Sequence, residues 1–239
     1  MLAMVNYEVD ASLLRPLVPP GTELDDFNGR TLVSMVGFRF LKTKVFGFRF
    51  PFHTDFDEVN LRFYVRRPNV PGEDRPRRGT VFIKEIVPRW IIATTARLLY
   101  NEPYITCPMR HRIDQQPGGG PVEARYDWRH RGLWGTLRVR VPGGEPTEAA
   151  AGSEQEFITE HYWGYNRQRS GKTLEYQVEH PRWRMWRAAD PSPGSGDVEF
   201  SCDVAALYGA GFAPFLSAAP SSAFLVEGSA VQVRRGRAL

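Results

Sequence analysis

Cysteine is nearly absent from this 239-residue chain: Cys107 and Cys202 stand far apart, outside any CxxC or histidine-rich setting. That argues against a disulfide framework and against a cysteine-based zinc site. Long apolar runs are missing as well. None approaches the roughly 18 residues that a membrane span requires, and the opening MLAMVNYEVD lacks the basic start and apolar stretch of a secretion signal. A cytoplasmic protein with no membrane association is expected. The first strand begins almost at Met1, which leaves the completeness of the N-terminus open. No G-x-S-x-G elbow, phosphate-cradling G-x-G-x-x-G or P-loop occurs, and His111, His130, His161 and His180 have no recognisable catalytic partner in the sequence. Serine catalysis and nucleotide-phosphate binding are therefore not expected, and no cofactor is.

Strong charge of one sign is also lacking. Thirty-one basic residues face 27 acidic ones, for a formal net charge of +4. The excess is largely arginine in short runs at 75–78 and 234–237, not a single basic helix or face, so nucleic-acid binding is not expected. The stretch Trp183, Arg184, Met185, Trp186, Arg187 has the look of a base-stacking strip. Alternation of this kind is more often a core face backed by a solvated one.

What the chain does have is apolar residues at 42% and aromatics at 13%, enough to fold without disulfides or metals. A strand is read over 2–9, and Asp10 then offers an N-cap for a helix over 11–18 that the Pro19-Pro20-Gly21 sequence stops. Strands are expected at 31–40 and 59–65, separated by a loop with Phe46, Phe48, Phe50 and Phe52 at alternate positions. The Pro, Gly and Arg-rich stretch 67–79 marks a hairpin turn before a strand at 80–87. Pro88 suits the first turn of a helix over 89–100, apolar nearly all round, with Asn101 able to adopt a left-handed C-cap. Further strands are read at 104–113, 122–129, 133–141, 162–166, 173–179 and 230–234. Ser153 to Glu156 is a capping-box signature ahead of Phe157 and Ile158. Many short strands with one buried helix point to an α+β, mainly β, domain on a closed or highly curved antiparallel sheet.

Several constellations are candidates for chemistry. Arg97, alone inside an apolar helix, needs a carboxylate partner such as Glu102 or an anionic ligand. Lys84 and Glu85 are adjacent on a strand, so one of them faces out; a solvated lysine is the expected outcome, not a desolvated amine able to form a Schiff base. His53, Asp55, Asp57 and Glu58 crowd four possible ligands into six residues, but no second ligand cluster accompanies them. A capping role, or one carboxylate lining a cavity, is expected there, and no metal.

Two stretches resemble acetoacetate decarboxylase. The first comprises Tyr7 to Asp10, Leu14-Arg15 and Val18-Pro19; the second is the helix end RLLYNEP at 97–103. Over nearly the whole chain the sequence is more similar to the YqjF-like family of uncharacterised proteins, grouped in the acetoacetate decarboxylase-like superfamily. The similarity is carried by HTDFDEVNLRFYV at 53–65, LYNEPY at 99–104, EHPRW at 179–183 and FLVEGS at 224–229. It implies a single domain over 1–239 with a barrel-like antiparallel sheet around a central cavity, and a tendency to form homo-oligomers. It also implies that Tyr104 enters the cavity where the decarboxylase places its Schiff-base lysine. A phenol cannot form the iminium, so acetoacetate decarboxylation is not expected. Glu58 falls near a cavity carboxylate of that enzyme. The resemblance thus makes Tyr104 and Glu58 the catalytic candidates and Arg97, Glu102, Arg62 and His53 the ligand-binding ones. The expected function is binding of a small carboxylic or carbonyl compound in an apolar barrel cavity, with lyase, hydratase or isomerase chemistry. The alternative is a non-catalytic ligand-binding or structural module.

Overall fold

The computed structural model describes residues 1–41, 55–90, 93–94, 101–116, 118–186, 189–192 and 194–239. Seventeen strands lie among them: β1 (Leu2–Glu8), β2 (Glu23–Leu24), β3 (Leu32–Phe40), β4 (Phe56–Arg67), β5 (Arg77–Val87), β6 (Tyr104–Thr106), β7 (Met109–Gln115), β8 (Val122–His130) and β9 (Leu133–Val141) come first. They are followed by β10 (Thr147–Glu148), β11 (Trp163–Arg167), β12 (Thr173–Glu179), β13 (Arg184–Met185), β14 (Val198–Ser201), β15 (Ser222–Val226), β16 (Gln232–Val233) and β17 (Arg237–Ala238). The main sheet runs β10-β13-β15-β1-β3-β4-β5-β11-β12-β16, and β14-β9-β8-β7 form a second sheet.

Alternation along the long strands sorts their side chains between two environments. Ala3, Val5 and Tyr7 of β1, Val33 and Met35 of β3, and Val59, Leu61, Phe63 and Val65 of β4 point into the larger core. There they meet Tyr126 and Trp128 of β8 and Leu137 and Val139 of β9. Each such fully buried large side chain contributes about 1.5–3 kcal/mol. Gly37 allows the two sheets to approach this closely, since a Cβ there would lie 2.6 Å from the Tyr126 ring. The opposite face of the main sheet carries Met4, Val36, Tyr64, Phe224 and Val226, covered by Phe157, Ile158 and Met185.

Among the described residues the sheet does not close into a barrel. Its two ends, β10 and β16, are two-residue strands with one partner each. Such short ladders, with Pro146 unable to donate a bond just before β10, give the ends too little backbone to pair with one another.

Local signals account for several boundaries. Asp10 accepts the Ser12 amide at 2.7 Å, but the α-helix α1 (Ala11–Leu14) passes into a 3₁₀ turn at Arg15–Leu17, where Pro16 cannot donate. Ser153 accepts the Glu156 amide at 3.1 Å and starts α2 (Glu154–Thr159). The expected strand over 104–113 is two strands in different sheets. β6 pairs in parallel with β5, and after Pro108 the chain turns into β7 of the second sheet. Residues 88–103 supply the crossover that parallel pairing requires. Of the helix read over 89–100, Arg89 is described and lies before the helix, while Trp90, Ala93 and Thr94 are described and are helical; Arg97 and the other positions lie outside the described residues, as do His53 and the loop of Phe46, Phe48, Phe50 and Phe52. Asn101 is left-handed, with φ 56°. Sequence periodicity did not reveal β15, a central strand, or the helices α3 (Val204–Tyr208) and α4 (Ala213–Leu216). No described helix is long and apolar enough to cross a membrane.

Candidate functional site

Strand register builds the site. Residues directly opposite one another in a ladder share a face, and one such row runs across six strands: Phe224, Met4, Val36, Asn60, Glu85 and Tyr104. The row is apolar at the β15 end and polar at the β6 end. Glu58, two residues from Asn60, joins the same face beside Phe38. Alternation alone accounts for why β4 presents Glu58, Asn60 and Arg62 here while Val59 and Leu61 enter the larger core.

Two further groups arrive from distant segments. Asn101 donates to the Arg167 carbonyl at 3.0 Å and accepts from Asn166 at 3.1 Å, which ties the turn after the crossover to β11 and places Glu102 in the cluster. Tyr176 of β12 donates to Glu102 Oε1 at 2.9 Å. Its ring lies across Gly164, where a Cβ would come within 2.1 Å of the ring carbon that bears the hydroxyl. Gly164→Ala is therefore expected to destabilise the fold by about 1–3 kcal/mol through overpacking. A urea titration would show this as a lower midpoint with unchanged slope.

Three carboxyl groups thus sit together, 2% exposed at Glu58 and Glu85 and 6% at Glu102. Asn60 Nδ2 donates to Glu58 Oε1 at 2.9 Å and the Tyr104 hydroxyl to Glu58 Oε2 at 3.1 Å. Burial pushes Glu58 up to about 7, against the opposing effects of Asn60, Tyr104 and Arg62. Glu102 is likewise pushed up to about 7 by burial and by the Glu58 charge, opposed by Asn166 and Tyr176. Glu85 lies well above the usual carboxylate range, from burial and then from the charges of Glu102 and Glu58. Burial, followed by these same carboxylates, drives Tyr104 and Tyr176 well above the ordinary phenol value. Arg62 is half-buried, with its guanidinium 5.8 Å from the Tyr64 ring centre and a 3.4 Å bond to the Ile158 carbonyl. Glu85 Oε2, Glu102 Oε2, Asn60 Oδ1 and Arg62 Nε are buried without a hydrogen-bond partner among the described residues.

These shifts carry a stability consequence with a definite sign. Unfolded, Glu85 releases its proton near 4.5, whereas the folded chain holds it to much higher pH. Folding is therefore unaffected by this group below 4.5 and loses stability as pH climbs above it. Glu85→Gln, neutral at every pH, is expected to stabilise the protein by about 1–4 kcal/mol near pH 8 and to leave it unchanged near pH 4. Thermal melts at both pH values test this; equal differences at the two would contradict it.

Of the residues singled out from sequence, the structure brings together Glu58, Tyr104 and Glu102, with Arg62 beside them. Glu85, Asn60, Tyr176 and Asn166 were not anticipated. Glu85 had been considered only as the neighbour of Lys84, which shares the other face with Leu61. Among the described residues no lysine stands on the Glu58 face, Lys172 being in an exposed turn. Asp57 points away from Glu58 and pairs with His111 at 2.9 Å, so these two neighbouring carboxylates divide between two faces. No described group of three His, Cys, Asp or Glu residues is arranged to hold a metal. Two histidines do have carboxylate partners, His111 with Asp57 and His161 with Asp25 at 3.2 Å. Neither ring is hydrogen-bonded to a described serine, threonine or cysteine. Burial depresses His161 to about 4, and its ring packs between Tyr64 and Phe157 as part of the covering of this face. An open surface cleft of about 500 Å³ includes Arg77 and Arg78 in its lining, but these are already paired with Glu73, Glu175 and Asp25.

The sequence model of the DUF2071 family, described as "Uncharacterized conserved protein (COG2071)", matches residues 1–230. The chain belongs to this family. A relative, "Uncharacterized protein YqjF" of Bacillus subtilis (strain 168), is 26% identical over 190 residues, spanning 77% of this chain and 71% of the relative. Solved structures place the DUF2071 chain in the acetoacetate decarboxylase-like fold. The enduracididine biosynthesis enzyme MppR superposes with a TM-score of 0.63 at 14% identity, over 100% of this chain and 85% of that one. The acetoacetate decarboxylase of Legionella pneumophila superposes with a TM-score of 0.58 at 12% identity, over 100% and 84%.

Proposed function

We propose that the Glu58–Tyr104 face binds a small carbonyl compound and catalyses proton transfer next to its carbonyl group, as in isomerase, hydratase or lyase chemistry. The observation that carries this reading is the convergence of three buried carboxyl groups with two phenols, two of the acids being held near neutral pH. A group that titrates near the working pH is the most effective general acid or base, because both its forms are available. Glu58, ionised, removes the proton from the carbon next to the carbonyl. Arg62, whose Nε has no described partner on this face, stabilises the enolate oxygen as it forms, and Tyr104 steadies the Glu58 carboxylate in between. The proton on Glu58 then returns to a different carbon or to a leaving group. No Schiff base is involved, in keeping with Tyr104 at the lysine position. Support for a carbonyl ligand comes from MppR of the same fold, whose structures include a complex with pyruvate.

The test is hydrogen–deuterium exchange followed by proton NMR, with the protein added to a panel of 2-oxo acids and ketones in D₂O. Exchange beside the carbonyl of at least one compound is expected. If none exchanges and native mass spectrometry finds no retained small molecule, the alternative of a non-catalytic module takes its place.

A further inference from the structure

The unsatisfied groups of the Glu58 face are lopsided. Among the described residues, Glu85 Oε2, Glu102 Oε2 and Asn60 Oδ1 are three buried acceptors with no partner, against one such donor, Arg62 Nε. Charge is lopsided in the same sense. Among the described residues, Glu58, Glu85 and Glu102 are accompanied by the single cation Arg62, whose influence reaches Glu58. Nothing described neutralises Glu85 or Glu102. An unpaired buried acceptor is left with its desolvation uncompensated, so a ligand rich in N–H donors and carrying positive charge is what such a surface rewards. Asn60 makes the same point independently of the acids: it is 2% exposed, its amide nitrogen is occupied by Glu58, and its oxygen is left over.

The walls have the matching character. Phe38 stands opposite Glu58 in the ladder, and the rings of Phe38, Phe40 and Phe56 are joined at centroid distances of 4.9 and 4.8 Å. Phe56, Phe40 and Tyr104 pack together with Val87 on the β6 side of the acids. Aromatic faces attract organic cations, which inorganic ions satisfy less well because they keep their water.

We propose that the ligand of this face carries a cationic nitrogen group, a guanidinium, amidinium or ammonium, which seats against Glu85, Glu102 and the Asn60 oxygen beside the Phe38–Phe40–Phe56 rings. The inference rests on the preceding reading for the location of the ligand and adds its charge. The carbonyl group lies then at the Glu58–Tyr104 end of the same molecule. Because the cation and the acid protons compete for the same oxygens, binding releases protons and strengthens as pH rises. The titratable groups facing it among the described residues are Glu58, Arg62, Glu85, Glu102, Tyr104 and Tyr176.

Isothermal titration calorimetry with four probes of similar size tests the proposal: butylguanidinium, butylammonium, neutral pentanamide and anionic valerate. At about pH 8 the cations are expected to bind at least about tenfold more tightly than the other two, and to weaken about tenfold at about pH 6. Glu85→Gln and Glu102→Gln should each remove most of that preference. Should either variant fail to fold, the wild-type ratios decide alone. Tighter binding of pentanamide or valerate, affinities for the cations that do not change with pH, or no cation binding at all overturns the inference, even if carbonyl compounds exchange hydrogen. Preferred cation binding without any hydrogen exchange would instead overturn the proton-transfer reading and leave the inference standing.

Discussion

Glu58→Gln is expected to reduce the rate of hydrogen exchange on the best carbonyl compound by about 10²–10⁴-fold, the usual contribution of a placed general base. The amide keeps the size of the side chain, so the fold and ligand affinity should change little, and the loss should fall on turnover. Tyr104→Phe provides the companion measurement. Its hydroxyl donates to Glu58 Oε2 and holds the acidity of Glu58 below what burial alone would give. Removing it raises the pH at which Glu58 ionises, and the acidic limb of the rate profile should move to higher pH. A protein that merely binds would show an altered affinity in Tyr104→Phe and no exchange in either form. An unshifted profile in Tyr104→Phe would mean that the phenol does not set the state of Glu58.

Glu175→Ala is expected to cost about 3–5 kcal/mol of stability, the range for removing one partner of a buried ion pair. The Glu175 side chain is 0% exposed and accepts from Arg67 at 2.7 Å, Arg77 at 2.8 Å and Arg237 at 3.4 Å. Arg77 also stacks over the Trp163 ring at 4.0 Å and pairs with Glu73. Truncation leaves the mostly buried Arg67 guanidinium with no described carboxylate partner. This cluster joins β4, β5, β12 and β17 on the side of the sheet away from Tyr176, so its loss would loosen β12 and with it the Tyr176–Glu102 bond. Urea denaturation of Glu175→Ala against the milder Glu175→Gln, which retains an acceptor oxygen, would separate the charge from the packing. Equal costs for the two would show that the loss lies in the charge and that side-chain packing adds nothing.

How far the site was legible from sequence differs residue by residue. Glu58 and Arg62 belong to a strand with a two-residue period, and Tyr104 follows Asn101, whose left-handed conformation ends the crossover. Those signals are local, and resemblance to the decarboxylase superfamily is what marks Tyr104 as a candidate. Glu85 was visible only as half of an adjacent Lys–Glu pair, and alternation states that one of the two faces inward without saying which. The ladder register decides it: Glu85 is opposite Asn60, while Lys84 is opposite Leu61. Tyr176 carries no local mark at all, since it meets Glu102 through a contact 74 positions away in the chain. The missed helices α3 and α4, of five and four residues, are too short to display a helical period. The two-residue strands β10, β13 and β17 are likewise too short for a strand period, and β16 is only two residues of the strand read over 230–234, so the sheet ends could not be read as open.

The amino-acid sequence by itself determined a mainly β chain of the DUF2071 family, with long alternating strands, an acid-capped first helix and a strong proline break pattern. Those properties follow from side-chain period, backbone restriction by proline and residue identity, which act over a few positions. Only the tertiary structure decided that Glu58, Glu85 and Glu102 share one buried face, that two phenols join them, and that the sheet stops short of closure. The acidity of each carboxyl depends on the burial and the like charges that its neighbours impose, and those neighbours come from β4, β5, β12 and the turn before β6.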